Sequence, residues 1–133
     1  MAGSRITLIK SRMPSVGDLN EELMWFCDSL GLFGNRDKDK SCFRMFIILL
    51  KSLKTDEELS SDEIAEKINL SRGTVVHHLR KLIDNGLVVT RNNKYSLRVD
   101  NLKEMMDEVE RDLIKTISNL KKTAVEIDKK LEL

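Results

Sequence analysis

Between residues 60 and 98 the hydrophobic period changes once, and that change limits the folds open to the chain. The stretch reads SSDEIAEKINLSRGTVVHHLRKLIDNGLVVTRNNKYSLR. Up to Gly86, apolar residues recur at steps of three and four, as on one face of a helix. Beyond it, "LVVTR" and "KYSLR" alternate at two, as in short half-buried strands. Ser60 with Glu63 three residues later is a capping box, opening a short helix to about Ile68 whose buried stripe is Ile64, Ala65 and Ile68. "NLS" at 69–71 is a tight turn in which Ser71 caps the following helix. Gly86, after "DN", can adopt the left-handed conformation that stops a helix. "NN" at 92–93 tolerates positive φ and turns one strand into the next.

The flanks read as helix. One proline, six glycines and 5% aromatic residues in 133 favour helices over a sandwich or barrel. Residues 5–10 are a candidate short strand, closed by the break at Pro14 and Gly17. A helix then runs from about Asp18 to Leu30, carrying Leu19, Leu23, Phe26 and Leu30 at helical spacing, with Gly31 and Gly34 to end it. "NRDKDK" at 35–40 is a connection. The helix at about 41–54 is apolar nearly all round (Phe43, Phe46, Ile47, Leu49, Leu50, Leu53), which places it at the centre of a core.

From Asn101 onward lies one long amphipathic helix without Gly or Pro. Its seam of Leu102, Met106, Val109, Leu113, Ile117, Leu120, Ala124, Ile127 and Leu131 repeats at three and four, with one extra step of four between 113 and 117. A small domain cannot bury so long a seam. The expectation is a second copy of the same helix, hence a homodimer, with residues 102–127 of the seam at the interface. Packing against the N-terminal helix is the other way to cover it.

Two helices across a tight turn followed by a hairpin make the winged form of the helix-turn-helix. The predicted fold is therefore mainly α with a small β-hairpin wing: a winged helix-turn-helix with a long C-terminal dimerisation helix. Its parts are an N-terminal arm and helix at 1–40, the winged domain at 41–98 and the long helix at 99–133.

Charge and side-chain type suggest what the second helix of the motif meets. The net charge is only +1, yet residues 56–66 hold six acids and no base, while 71–98 hold six bases against Asp84 alone. A concentrated basic segment attracts a polyanion locally. On a helical wheel of 72–85, Val75, Leu79 and Leu82 face the core. Gly73, His77, Arg80 and Asp84 face away, with Val76 and Lys81 at the margins and Arg72 and Thr74 in the first turn. A DNA major groove ~12 Å wide admits such a helix. Arginine pairs with guanine edges there, and Thr or Val meets a thymine methyl. Amides near Ser71 can receive a phosphate oxygen. Arg91, Asn92, Asn93 and Lys94 form a basic wing tip suited to the flanking backbone. Asp84 and the acidic run are expected to turn away from the DNA, with Lys67 as one compensating charge.

Other chemistries find little support in the residues. Adjacent His77 and His78 point ~100° apart on a helix and cannot share one metal ion, so no metal or cofactor is expected. No nucleophile has a neighbouring base and no glycine loop cradles phosphate, so no enzymatic role is expected. Cys27 and Cys42 lack metal or redox spacing and read as buried thiols of a cytoplasmic protein. The longest apolar run, "MFIILL", is far short of the ~20 residues that span a bilayer. Two rival readings stay open. In one, the winged domain is a protein-interaction or scaffolding module docking through its long helix. In the other, a small-molecule pocket lies near Trp25, Phe26 and Phe33.

The stretch 60–89 also resembles a known family, the ArsR-like winged-helix transcriptional regulators. Leu70, Ser71, Thr74, Val75, His78, Leu79, Leu82, Gly86, Leu87 and Val88 fit its pattern, and the likeness extends over about residues 41–98. The resemblance implies a homodimer that binds palindromic operators in double-stranded DNA. The cysteine pair of the metal-sensing members has no counterpart in "DEIAEKI", so metal sensing is not implied. The long C-terminal helix resembles the dimerising helices of archaeal-type winged regulators.

Overall fold

The capping box forms as its spacing predicts. In the computed structural model, which describes residues 5–14, 17–32 and 40–133, the Glu63 amide donates to Ser60 Oγ at 3.1 Å and the Ser60 amide to Glu63 Oε1 at 3.3 Å. The helices of the described residues are α1 (Leu19–Ser29), α2 (Ser41–Ser52), α3 (Ser61–Ile68), α4 (Arg72–Asp84) and α5 (Leu102–Leu131). Their strands are β1 (Leu59–Ser60), β2 (Val88–Arg91) and β3 (Lys94–Leu97). Phe33, Gly34 and most of the connection at 35–40 lie outside the described residues.

Helix ends follow their local chemistry. Asp18 caps α1 and accepts from the Glu21 amide at 2.7 Å. At the end of α4, Gly86 takes φ +79°, its amide donates to Ile83 O, and the Leu87 amide reaches back to Leu82 O. Those two bonds define a Schellman cap, with buried Leu87 beside buried Leu82 as its apolar contact. Gly31 closes α1 with the same pattern at φ +72°. Asn69 turns α3 into α4 from the left-handed region, and Arg44 Nη2 donates to the C-terminal end of α3 at Ile68 O, 2.7 Å away.

The sheet has the order β1-β3-β2 and is antiparallel throughout. The hairpin register pairs Val88 with Leu97 and Arg91 with Lys94, so Asn92 and Asn93, at φ 54° and 61°, form the tip. β1 is an addition to the sequence reading. It is two residues long, too short to show a period, and Ser60 is at once its last residue and the N-cap of α3. The strand expected at 5–10 does not form. Its backbone runs instead as an arm whose Ile9 amide donates to Ser29 O and whose Arg5 amide donates to Asp84 O, each at 2.7 Å. Helix ends, rather than a neighbouring strand, take those donors.

α2 supplies the centre of the core through Cys42, Met45, Phe46 and Leu49, packed against α3, α4 and β3. Ile64 and Ile68 of α3 and Val75, Leu79 and Leu82 of α4 close over it, with Leu87, Val88 and Leu97 from the wing. α5 joins with Met105 and Val109 buried and with Leu102 and Met106 half-buried against the same core. Beyond Leu113 every residue of α5 is exposed.

Candidate nucleic-acid interface

The outward side of α4 is uncovered. Ser71, Arg72, Gly73, Thr74, His77 and Arg80 are exposed, and Val76 and Lys81 are half-buried at the margins. Ser71 caps the helix, its Oγ accepting from the Thr74 amide at 3.2 Å and lying 2.9 Å from Thr74 Oγ1. Both hydroxyls are thereby fixed at the first turn. A Cβ built at Gly73 meets nothing within 4 Å, so the glycine leaves an open step in the surface and not a packing contact. The His77 and His78 rings stand edge to face with centroids 5.5 Å apart, and only His77 faces solvent fully. Among the described residues, no three His, Cys, Asp or Glu side chains cluster to hold a metal ion.

The wing tip presents Arg91, Asn92, Asn93 and Lys94, all exposed. Here the acidic run departs from expectation. Glu58 does not turn away: its Oε1 accepts from Arg91 Nη2 at 2.9 Å. Asp62 Oδ1 lies 3.6 Å from Arg72 Nε. Two carboxylates four residues apart thus each hold one cation of this surface, which sets the wing and the start of α4 around the same short acidic segment. The physical reason is proximity: β1 pairs with β3, and this brings Glu58 beside the wing. Asp84 lines a cleft with His77, Arg80 and Lys81.

Arg98, counted above with the basic segment, is withdrawn from the surface. Its guanidinium pairs with Glu108 and, at 2.8 Å, with Asp112 of α5. The hydrogen bond to Asp112 raises its pKa further above the ordinary arginine value, outweighing the opposing effect of burial. Arg98 is a clasp between wing and long helix.

The seam of α5 divides in two. Val109 is buried in its own chain's core, Leu113 is half-buried, and Ile117, Leu120, Ala124 and Ile127 are exposed. Ile117 is 43% and Leu120 63% exposed on a helix that no other described element covers there. No helix of the described residues is long and apolar enough to cross a membrane.

Sequence reasoning missed Glu58, Asp62 and the arm residue Arg5 as neighbours of the site. A −6 run beside a basic run signals attraction in general but names no partners. Comparison with curated proteins gave no match. Residues 48–89, from the second half of α2 to the first residues of β2, match the family model described as winged helix-turn-helix DNA-binding. Helices α2 to α4, the three-stranded sheet and that match together make this part of the chain a winged helix-turn-helix domain.

Proposed function

We propose that the protein is a homodimeric, sequence-specific binder of double-stranded DNA acting as an ArsR-like transcriptional regulator in the cytoplasm, without an enzymatic activity of its own. The observation that carries this reading is the uncovered outer side of α4, where Arg72, Gly73, Thr74, His77 and Arg80 all stand in solvent. Ser71, Val76 and Lys81 border it, and Arg91, Asn92, Asn93 and Lys94 hold the flanking phosphates. Phosphate contacts would set position on the duplex, and the α4 side chains would read base edges.

Dimerisation is supported by the second half of α5. Ile117, Leu120, Ile127 and Leu131 make an exposed apolar stripe on one side of that helix. A second copy offers the same stripe, and two-fold association would present two copies of α4 to half-sites about one DNA turn, ~34 Å, apart. Leu102, Met106 and Leu113 extend the stripe toward the domain.

Selection of bound sites from a random duplex library tests function and symmetry together. The expected result is a two-fold symmetric consensus. No binding to any duplex, even at low salt, would leave the domain as a protein-interaction module. Arg80→Ala is expected to weaken binding.

A further inference from the structure

Three arginines of the basic segment are already engaged by carboxylates: Arg72 by Asp62, Arg91 by Glu58, and Arg98 by Glu108 and Asp112. Arg80 and Lys81 on the second half of α4 have no carboxylate partner among the described residues, and neither does Arg5. These three cations line one cleft. Its walls are the N-terminal arm at Arg5 and Thr7, the corner at Gly31, and the outer side of α4 from His77 to Asp84.

The arm is fixed there by its backbone. The Arg5 amide donates to Asp84 O and the Ile9 amide to Ser29 O, each at 2.7 Å. Between these bonds Thr7 packs so closely on Gly31 that a Cβ at that glycine would lie 2.8 Å from Thr7 Cγ2. Gly31 is therefore needed twice over, for its φ of +72° and for the approach of the arm. Arg5 is anchored through its main chain, which leaves the guanidinium to serve the cleft. One acid, Asp84, faces the same space.

We propose that this cleft is a phosphate site and that Arg5, from the arm, contacts the DNA backbone beside the groove that α4 enters. The assignment rests on the DNA-binding reading above and deepens it. Three cations around one opening suit a phosphodiester, and an anion held there would draw the arm and α4 onto the same strand. Asp84 limits how tightly any anion is held.

The test is binding to a fixed duplex at 50 to 200 mM salt by the full chain and by Arg5→Ala, Arg5→Lys and Arg80→Ala. Losing one phosphate contact lowers the slope of log affinity against log salt by ~0.9, so over that range the unmodified chain should lose ~3.5-fold more affinity than Arg5→Ala. Arg5→Lys should restore the slope, because the charge is kept while any structural role of the guanidinium is not. An unchanged slope in Arg5→Ala, with weakened binding in Arg80→Ala, overturns this inference and leaves the DNA-binding reading standing. Absence of duplex binding by the unmodified chain overturns both. A parallel titration with inorganic phosphate, followed by amide and guanidinium NMR shifts, separates the source. Shifts at Arg5 and Arg80 with free phosphate, but none at Arg5 with duplex, would assign the cleft to a small anion and overturn the backbone contact.

Discussion

Neutralising Glu58 should tighten DNA binding, by an amount the geometry bounds. Arg91 Nη2 and Glu58 Oε1 lie 2.9 Å apart, with the glutamate side chain 34% exposed. Two unit charges at that distance attract by ~1.4 kcal/mol in bulk water. Salt and side-chain ordering reduce exposed pairs to ~0.2–1 kcal/mol. The close contact and the partial cover of Glu58 put this pair near the upper end. If Arg91 must leave Glu58 to reach a phosphate, Glu58→Gln removes that cost and raises affinity by up to ~5-fold. Asp62→Asn is the matched control. It deletes the same charge, but its pair with Arg72 spans 3.6 Å between side chains 72% and 76% exposed, so the gain should be nearer ~1.4-fold. Fluorescence anisotropy with a labelled duplex at 0.1 M salt resolves the two. The excess gain of Glu58→Gln should vanish in a background of Arg91→Ala. Equal gains in the two variants, or an excess that survives loss of Arg91, would refute the reasoning, since repulsion between carboxylate and DNA alone would then explain the effect.

Other outcomes follow from burial and charge. Ile117→Glu with Leu120→Glu should give a monomer by sedimentation while leaving the unfolding midpoint of the winged domain nearly unchanged, because both side chains stand in solvent in the single chain; a persistent dimer would move the interface elsewhere. Phe46→Ala should cost ~3–5 kcal/mol in urea unfolding, as Phe46 is fully buried and stacks on Phe26 at 6.5 Å between ring centroids; a loss below 1 kcal/mol would contradict its central place. The Cys27 thiol is pushed up from 9.0 to about 12, mainly by burial and secondarily by Cys42. The folded chain thus keeps a proton that the unfolded chain releases, and stability present below pH 9 should fall as pH rises toward 12. That fall, measured by denaturant midpoints, should be shallower in Cys27→Ala, and an identical pH dependence would argue against a buried thiol.

The elements that were legible in the sequence are those written in local chemistry. Ser60 and Glu63, Asn69, Ser71, Gly86 and the Asn92–Asn93 pair act within four residues of themselves, and each end or turn formed where its residues place it. What escaped depends on chain segments far apart. Arg91 meets Glu58 across 33 positions and Arg98 meets Asp112 across 14, and no periodicity encodes either pair. β1 exists because β3 supplies a ladder, and two residues cannot announce that. Along α5 the heptad pattern located the apolar side but not the point of contact with the domain. Met105, one step round the helix from Met106, is the residue that is fully buried. The outer side of α4 was legible because a helix with one well-marked core face has only one other face to offer.

The Arg98 clasp has a mechanical consequence. Glu108 and Asp112 stand one helical turn apart and grip the residue that directly follows β3, so the clasp ties the base of the wing to the first half of the long helix. The nineteen residues of α5 beyond Asp112 make an arm ~28 Å long, and a pivot of about 5° at the clasp sweeps its far end through ~2.5 Å. The clasp thereby places the base of the hairpin at the near end of that arm.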